Sequence, residues 1–139
     1  MRQLKELGIK TQILSVALFE DPEILEKAGD VAEGAIYTYY GTFSPKSEDA
    51  RVQEFIGKFR RKYGVDPEYY APIGYDAVKI LALAIEKGDF DSEQIKSALY
   101  QIKDFPGLSG TTSFDKNGDV IKPVILKTVK NGKFLRYKQ

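Results

Sequence analysis

The sequence predicts an α/β fold, and three observations carry that prediction. An apolar run, a short capped helix and a second apolar run follow one another within residues 11–40, the pattern of a strand–helix–strand unit with parallel strands. Residues 47–63 and 72–87 are long segments with apolar residues at helical spacing. Near the end of the chain, Asn131-Gly132 divides two strand-like segments, and this dipeptide is the preferred turn of a two-residue β-hairpin.

Each element has its own signal. Residues 2–7 read as the last turns of a helix, with Leu4 and Leu7 on one side and Gly8 as the stop. Residues 11–19, TQILSVALF, read as a buried strand. Asp21 is placed to cap the next helix, with Pro22 at its first position, Glu23 in its first turn and Gly29 at its end. Residues 34–40, GAIYTYY, form the second strand. After the polar connection GTFSPKS, Ser47 is read as the cap of a helix running to Tyr63. Its Val52, Phe55, Ile56, Phe59 and Tyr63 make one apolar stripe, and Gly64 and Pro67 punctuate its end. The helix at 72–87 opens among Tyr69, Tyr70, Pro72, Gly74 and Tyr75 and stops at Gly88. It is apolar over most of its circumference, which predicts cover on several sides. Asp91 or Ser92 caps a shorter helix that turns Ile95, Ala98, Leu99 and Ile102 inward. From Phe105 the pattern is strand and loop, closing in a hairpin where Val129 faces Phe134 and Leu126 faces Tyr137. This gives two parallel strands, one hairpin and four or five helices. A doubly wound sheet has about five or six strands, so the helices are expected to need more sheet than this stretch supplies.

Composition removes several classes of function. The chain has 139 residues, of which 42% are hydrophobic and 29% charged, with a net charge of +1. That balance gives a packed core but no basic face for nucleic acid. No apolar run reaches the ~20 residues of a membrane span, and the first ten residues carry no apolar signal-peptide core. There is no Cys and no His. Disulfides, thiolate metal sites and Ser-His-Asp or Cys-His centres are therefore excluded.

The remaining motifs read as structure. FPGLSGTTSF carries Gly107 and Gly110 beside hydroxyls, but lacks the glycine spacing and the lysine of a phosphate loop. DKNGDV resembles half of a calcium loop, yet Val120 and Lys127 stand where that loop needs Gly and Glu, so it reads as a turn. The acid pairs Glu20/Asp21, Asp30/Glu33 and Asp89/Asp91 each sit beside a helix end, where capping is the ordinary role. Lys58, Arg60, Arg61 and Lys62 read as a solvated face that complements the helix dipole. Tyr37 and Tyr75 read as core, whereas Tyr70 stands just before a helix start, where α/β folds open their clefts.

Three blocks in this order, AGDVAEG, YDAVKILA and FDKNGD, give the whole chain a resemblance to the type I periplasmic binding proteins. The branch it is most similar to is that of the Leu/Ile/Val- and small-molecule-binding proteins of ABC importers. The match is to the C-terminal portion of that two-lobed fold, with flavodoxin-like lobes, a parallel sheet flanked by helices and a C-terminal β-hairpin. The resemblance implies that residues 1–40 belong to the second lobe and 41–127 to the first, with 128–139 a return strand to the second. It also implies a ligand held in the cleft between lobes. Tyr70 matches a position where amino-acid-binding members carry an aromatic over the ligand, and the loop of Ala17, Leu18 and Phe19 reaches the same cleft. Where those members place an acid for the ligand's ammonium group, this chain has Ala17, with Glu20 nearby. An organic acid, an aromatic compound or an amide is thus as well suited as an amino acid.

The function implied is that of a fragment of an extracytoplasmic solute-binding protein, without catalysis, cofactor or metal. Its partners would be a small molecule and, for the full-length parent, an ABC permease. The parent would be periplasmic or extracellular, with its signal peptide outside this chain. A sensory-receptor ectodomain of the same fold is the alternative, and a small flavodoxin-like enzyme a weaker one. The isolated chain, with apolar faces left over, is expected to form a homodimer, with exchange of elements as one form.

Overall fold

Alternation along a strand and i, i+4 spacing along a helix decide which side chains this chain buries. The computed structural model describes residues 2–137, so the last two residues of the expected return strand lie outside it. In chain order it contains α1 (Arg2–Glu6), β1 (Leu14–Ser15), a 3-10 turn (Ala17–Phe19), α2 (Pro22–Ala28), a second 3-10 turn (Gly29–Ala32) and β2 (Ile36–Tyr40). Then come α3 (Ala50–Tyr63), α4 (Tyr70–Gly88), α5 (Ser92–Tyr100), β3 (Phe105–Gly107), β4 (Gly110–Phe114), β5 (Val120–Ile121), β6 (Val124–Lys130) and β7 (Lys133–Arg136). The chain divides into two compact units, one built from residues up to Tyr40 and from Val124 on, the other from Gly41 to Pro123.

The first unit is a four-stranded sheet in the order β1-β2-β6-β7. The sheet is mixed, where the sequence suggested a parallel one. β1 and β2 are parallel, but β6 runs antiparallel to β2, and a two-residue turn forces β7 antiparallel to β6. That turn is the expected one: Asn131 and Gly132 both have positive φ, and Val129 pairs with Phe134. The Tyr137 amide donates to the Leu126 carbonyl at 2.9 Å. β6 is in register with β2 from Val124, opposite Tyr40. The chain therefore re-enters this unit at Val124, ahead of the expected Thr128.

The expected strand at 11–19 shrinks to Leu14–Ser15. It is an edge strand, and Leu14 and Val16 are exposed, so two-sided burial was the wrong expectation. Beyond Val16 the 3-10 turn carries Ala17 and Phe19 inward and leaves Leu18 exposed. The core lies on the face of Tyr37, Tyr39 and Val129. Phe19 and Phe134 pack on the Tyr37 ring at 5.4 and 6.0 Å between centroids. Register places Leu14, Ile36, Thr128 and Leu135 in one row on the opposite face, where Leu14 and Leu135 are exposed.

In the second unit, α3 and the loop before it bury Phe43, Val52 and Ile56 against Leu108, with Phe55 packed on that cluster. Asp49, rather than Ser47, caps α3: its carboxylate accepts the Arg51 amide at 2.9 Å. Ser47 instead accepts the Asp49 amide with its hydroxyl and the Gln53 side chain with its carbonyl. An ionised cap also complements the helix dipole, which a serine does not. The apolar stripe ends at Phe59, and Tyr63 is 56% exposed.

α4 buries a single i, i+4 stripe, Pro72, Asp76, Ile80, Ala84 and Gly88. Val78, Leu81 and Leu83 are exposed, so the expected cover on several sides is absent from this unit. The helix also starts earlier and ends later than expected. Tyr70 precedes Pro72, which the first turn tolerates because its amide would be unpaired there. Gly88 lies inside the helix, and Asp89, with φ of 45°, ends it. The glycine is there for contact: a Cβ on Gly88 would stand 2.6 Å from the Ile95 amide nitrogen of α5. Asp91 caps α5, and Ala98 and Ile102 are buried.

Candidate functional site

The structure places the four predicted site residues in two groups. Ala17, Leu18 and Phe19 stand together on the 3-10 turn of the first unit, and only Leu18 offers its side chain to solvent. Tyr70 is the first residue of α4 in the second unit and is 57% exposed. Its ring stacks edge-on against Tyr69 at 5.0 Å. A half-exposed aromatic braced by a second ring and held at a helix start is a rigid apolar contact surface.

Glu20 does not do what its place in the sequence suggested. Its side chain caps no helix; the carboxylate accepts the Tyr37 hydroxyl at 2.7 Å and pairs with Lys127. Both charged side chains are more than four-fifths buried, and the Lys127 ammonium sits 4.4 Å from the Tyr39 ring centre. Burial, and then the Glu20 carboxylate, push the Tyr37 phenol well above its ordinary value. The Glu33 side chain likewise caps no helix: it accepts the Asn131 and Gly132 amides at 2.7 and 3.2 Å and so braces the hairpin turn. Asp30 pairs with Lys5, whose hydrogen bond, and then its charge, hold that exposed carboxyl below the usual range.

The second unit holds the group that the sequence reading missed. Asp76, 3% exposed, accepts the Leu108 amide at 2.8 Å, the Ser109 amide at 2.7 Å and the Ser109 hydroxyl. The Lys122 ammonium donates to the same Ser109 oxygen at 2.6 Å, and burial pulls its pKa below the lysine norm. Glycines make room for this. A Cβ on Gly107 would overlap the Asp76 carboxylate, and one on Gly41 would overlap the Ser109 carbonyl. Gly107 and Gly110, considered above as a phosphate loop, thus close a hairpin turn onto an internal carboxylate. The signal was available: an acid in phase with Pro72, Ile80 and Ala84 is buried with them and needs donors.

Tyr75, expected in the core, is 44% exposed. It packs on Phe55 at 5.3 Å, with Lys79 over its ring, and lines a groove of about 590 Å³ with Phe59, Tyr63 and Lys58. Tyr70 is not among the lining residues. The basic run is exposed, as expected, with Lys58 paired to Glu54 and Arg60 to Asp66. The Asp115 carboxylate accepts the Asn117 and Asp119 amides, making DKNGDV a turn. Among the described residues, no group of acids is placed to hold a metal ion, and no helix is long and apolar enough to cross a membrane.

Comparison with known proteins places this geometry in a family. The model of the periplasmic binding protein family matches residues 1–133. The Leu/Ile/Val-binding protein homolog 1 of Brucella abortus is 32% identical over 121 residues, 86% of this chain and 31% of that protein. A leucine-, isoleucine-, valine-, threonine- and alanine-binding protein of Pseudomonas aeruginosa is 29% identical over a similar stretch. Among solved structures, a leucine-binding protein from Thermotoga maritima superposes with a TM-score of 0.82 at 33% identity, over 99% of this chain and 39% of that one. A branched-chain amino acid transporter substrate-binding protein from Streptococcus pneumoniae, in complex with isoleucine, gives 0.74 at 32% identity over 95% and 38%. The chain spans about a third of the length of these curated relatives. It belongs to the periplasmic binding protein family, a family of solute-binding proteins.

Proposed function

We propose that this member of the periplasmic binding protein family is the C-terminal portion of an extracytoplasmic protein that captures a small molecule and delivers it to an ABC permease. It acts by binding, without a catalytic step. The observation that carries the reading is the family match over nearly the whole chain, together with relatives named for branched-chain amino acid binding. In this reading the unit Gly41–Pro123 is part of the first lobe and the remainder part of the second, and the connections after Tyr40 and Pro123 are the crossovers. Tyr70 and the turn of Ala17, Leu18 and Phe19 contribute to ligand binding, Tyr70 and Leu18 by side chain and the other two by position.

The ligand class follows from what surrounds that turn. Ala17 supplies no carboxylate, and Glu20, the nearest acid in sequence, is already committed to Tyr37 and Lys127. A buried, paired carboxylate is poorly placed to receive an ammonium group from outside. Small carboxylic acids and amide-like compounds therefore suit the site at least as well as α-amino acids. The test is a chimera of the Thermotoga maritima leucine-binding protein in which this chain replaces the matching segment. Its melting temperature is measured against a panel of amino acids, organic acids and amides. A rise with at least one compound is expected. A cooperatively folded chimera that answers to none would contradict the proposal.

The isolated chain is proposed to pair with a second copy of itself, which would cover the row Leu14, Ile36, Thr128 and Leu135 and the exposed side of α4. Light scattering at micromolar concentration is expected to give twice 15.7 kDa. A compact, cooperatively melting monomer would contradict it.

A further inference from the structure

Ser109 is the point at which three parts of the second unit meet. Its amide and hydroxyl go to Asp76 of α4. Its carbonyl accepts the Thr42 amide at 2.9 Å, and its hydroxyl oxygen accepts the Lys122 ammonium at 2.6 Å. Thr42 is the second residue of the unit, just after the first connection, and Lys122 its last but one, just before the second. The two segments are also tied to each other, the Gly41 amide donating to the Pro123 carbonyl at 2.6 Å. Gly41, with φ of 96°, can lie this close to Ser109 only because it has no Cβ.

We propose that Asp76, acting through Ser109, is the positioning residue that fixes where both connecting segments leave the second unit. The carboxylate anchors the Leu108-Ser109 turn to α4 by three hydrogen bonds, two of them from backbone amides. The turn then presents a carbonyl to one segment and a hydroxyl to the other. A carboxylate is the group suited to this task, because it only accepts, and three donors converge on it. Burial raises the stakes: each donor left without Asp76 would be unpaired away from water. The charge of Lys122 reaches that of Asp76 through the Ser109 hydroxyl, so the cation on one segment is held by an anion on the helix. Under the solute-binding reading these segments are the hinge, and the proposal rests on that reading only for this consequence.

Amide hydrogen exchange on the 139-residue chain without ligand tests it, and so stands apart from any failure to find a ligand. In Asp76→Asn, protection at the Gly41 and Thr42 amides is expected to fall by about tenfold or more relative to α5 and to β2, in keeping with loss of a local rather than a global structure. If that variant does not fold, Lys122→Met decides the matter, because it leaves the carboxylate and its three donors in place. It is expected to lower protection at the same two amides while α4 keeps its own, and Lys122→Arg is expected to restore it. Unchanged protection at Gly41 and Thr42 in a folded variant would overturn the proposal. So would a loss at those two amides no greater than that in the rest of the second unit, which would mark Asp76 as a general stabiliser only.

Discussion

Each unit of this protein buries a carboxylate, and the two are satisfied in different ways. In the first unit Glu20 is met by a phenol and an ammonium, both from strands of the sheet. In the second, Asp76 is met by two backbone amides and a hydroxyl of one tight turn. The first arrangement pins side chains to one another across a sheet; its loss leaves a charge without its counter-ion. The second pins the backbone itself; its loss releases a turn and the two segments tied to it. A buried acid thus organises the chain only as far as its donors are backbone, and this difference can be measured.

The largest effect is expected from Asp76→Ala, which strands three buried donors. A loss of about 3 to 5 kcal/mol in chemical unfolding follows from the cost of unpaired buried groups. A loss under about 1 kcal/mol would mean that water replaces the carboxylate and that the turn does not depend on it. Next is Lys127→Met in the first unit, which leaves Glu20 largely buried with only the Tyr37 hydroxyl. About 2 kcal/mol is expected, and the double variant with Glu20→Gln should recover part of it, since the uncompensated charge is then gone. No recovery would show that the two side chains are not coupled.

The smallest effect sharpens the comparison by pH. Tyr37→Phe removes one hydrogen bond to Glu20 and should cost about 1 kcal/mol near neutrality. The Tyr37 phenol is raised in the folded protein, so the unfolded chain ionises it first. Its contribution is fully present below the unfolded value of about 10 and is lost as pH rises beyond that. Urea midpoints should therefore fall more steeply above about pH 10 in the parent than in Tyr37→Phe. Equal slopes would show that the phenol is not held by burial and Glu20.

The same pair of acids shows what the sequence makes legible. Signals that act within a few residues could be read directly: Asp21 and Asp91 cap their helices, and Asn131-Gly132 makes its hairpin in the expected register. Glu20 was misread because its cationic partner, Lys127, is distant in sequence and becomes a neighbour only when β6 pairs with β2. Asp76 was passed over because a helix tolerates it locally, while its donors lie beyond Gly107. The breadth of apolar surface on α4 was legible, but not that this unit would cover one stripe of it: Leu81 is 47% exposed and Ile80 only 7%. At the candidate site, the exposed position of Tyr70 agrees with its place at a helix start, whereas the inward turn of Ala17 and Phe19 depends on a 3-10 turn that an apolar run does not announce.

Solute binding itself is tested most directly by calorimetric titration of the Thermotoga maritima chimera with the compound that most raises its melting temperature, in the parent form and as Tyr70→Ala. An aromatic that covers a ligand contributes about 1 to 3 kcal/mol through the area it buries. The account predicts saturable one-to-one binding, weakened by about tenfold or more in Tyr70→Ala, with the melting temperature of the free protein nearly unchanged because Tyr70 is exposed. Equal affinity of the two forms would remove Tyr70 from the site, and no binding heat from a folded chimera would contradict the assignment of a solute-binding role to this chain.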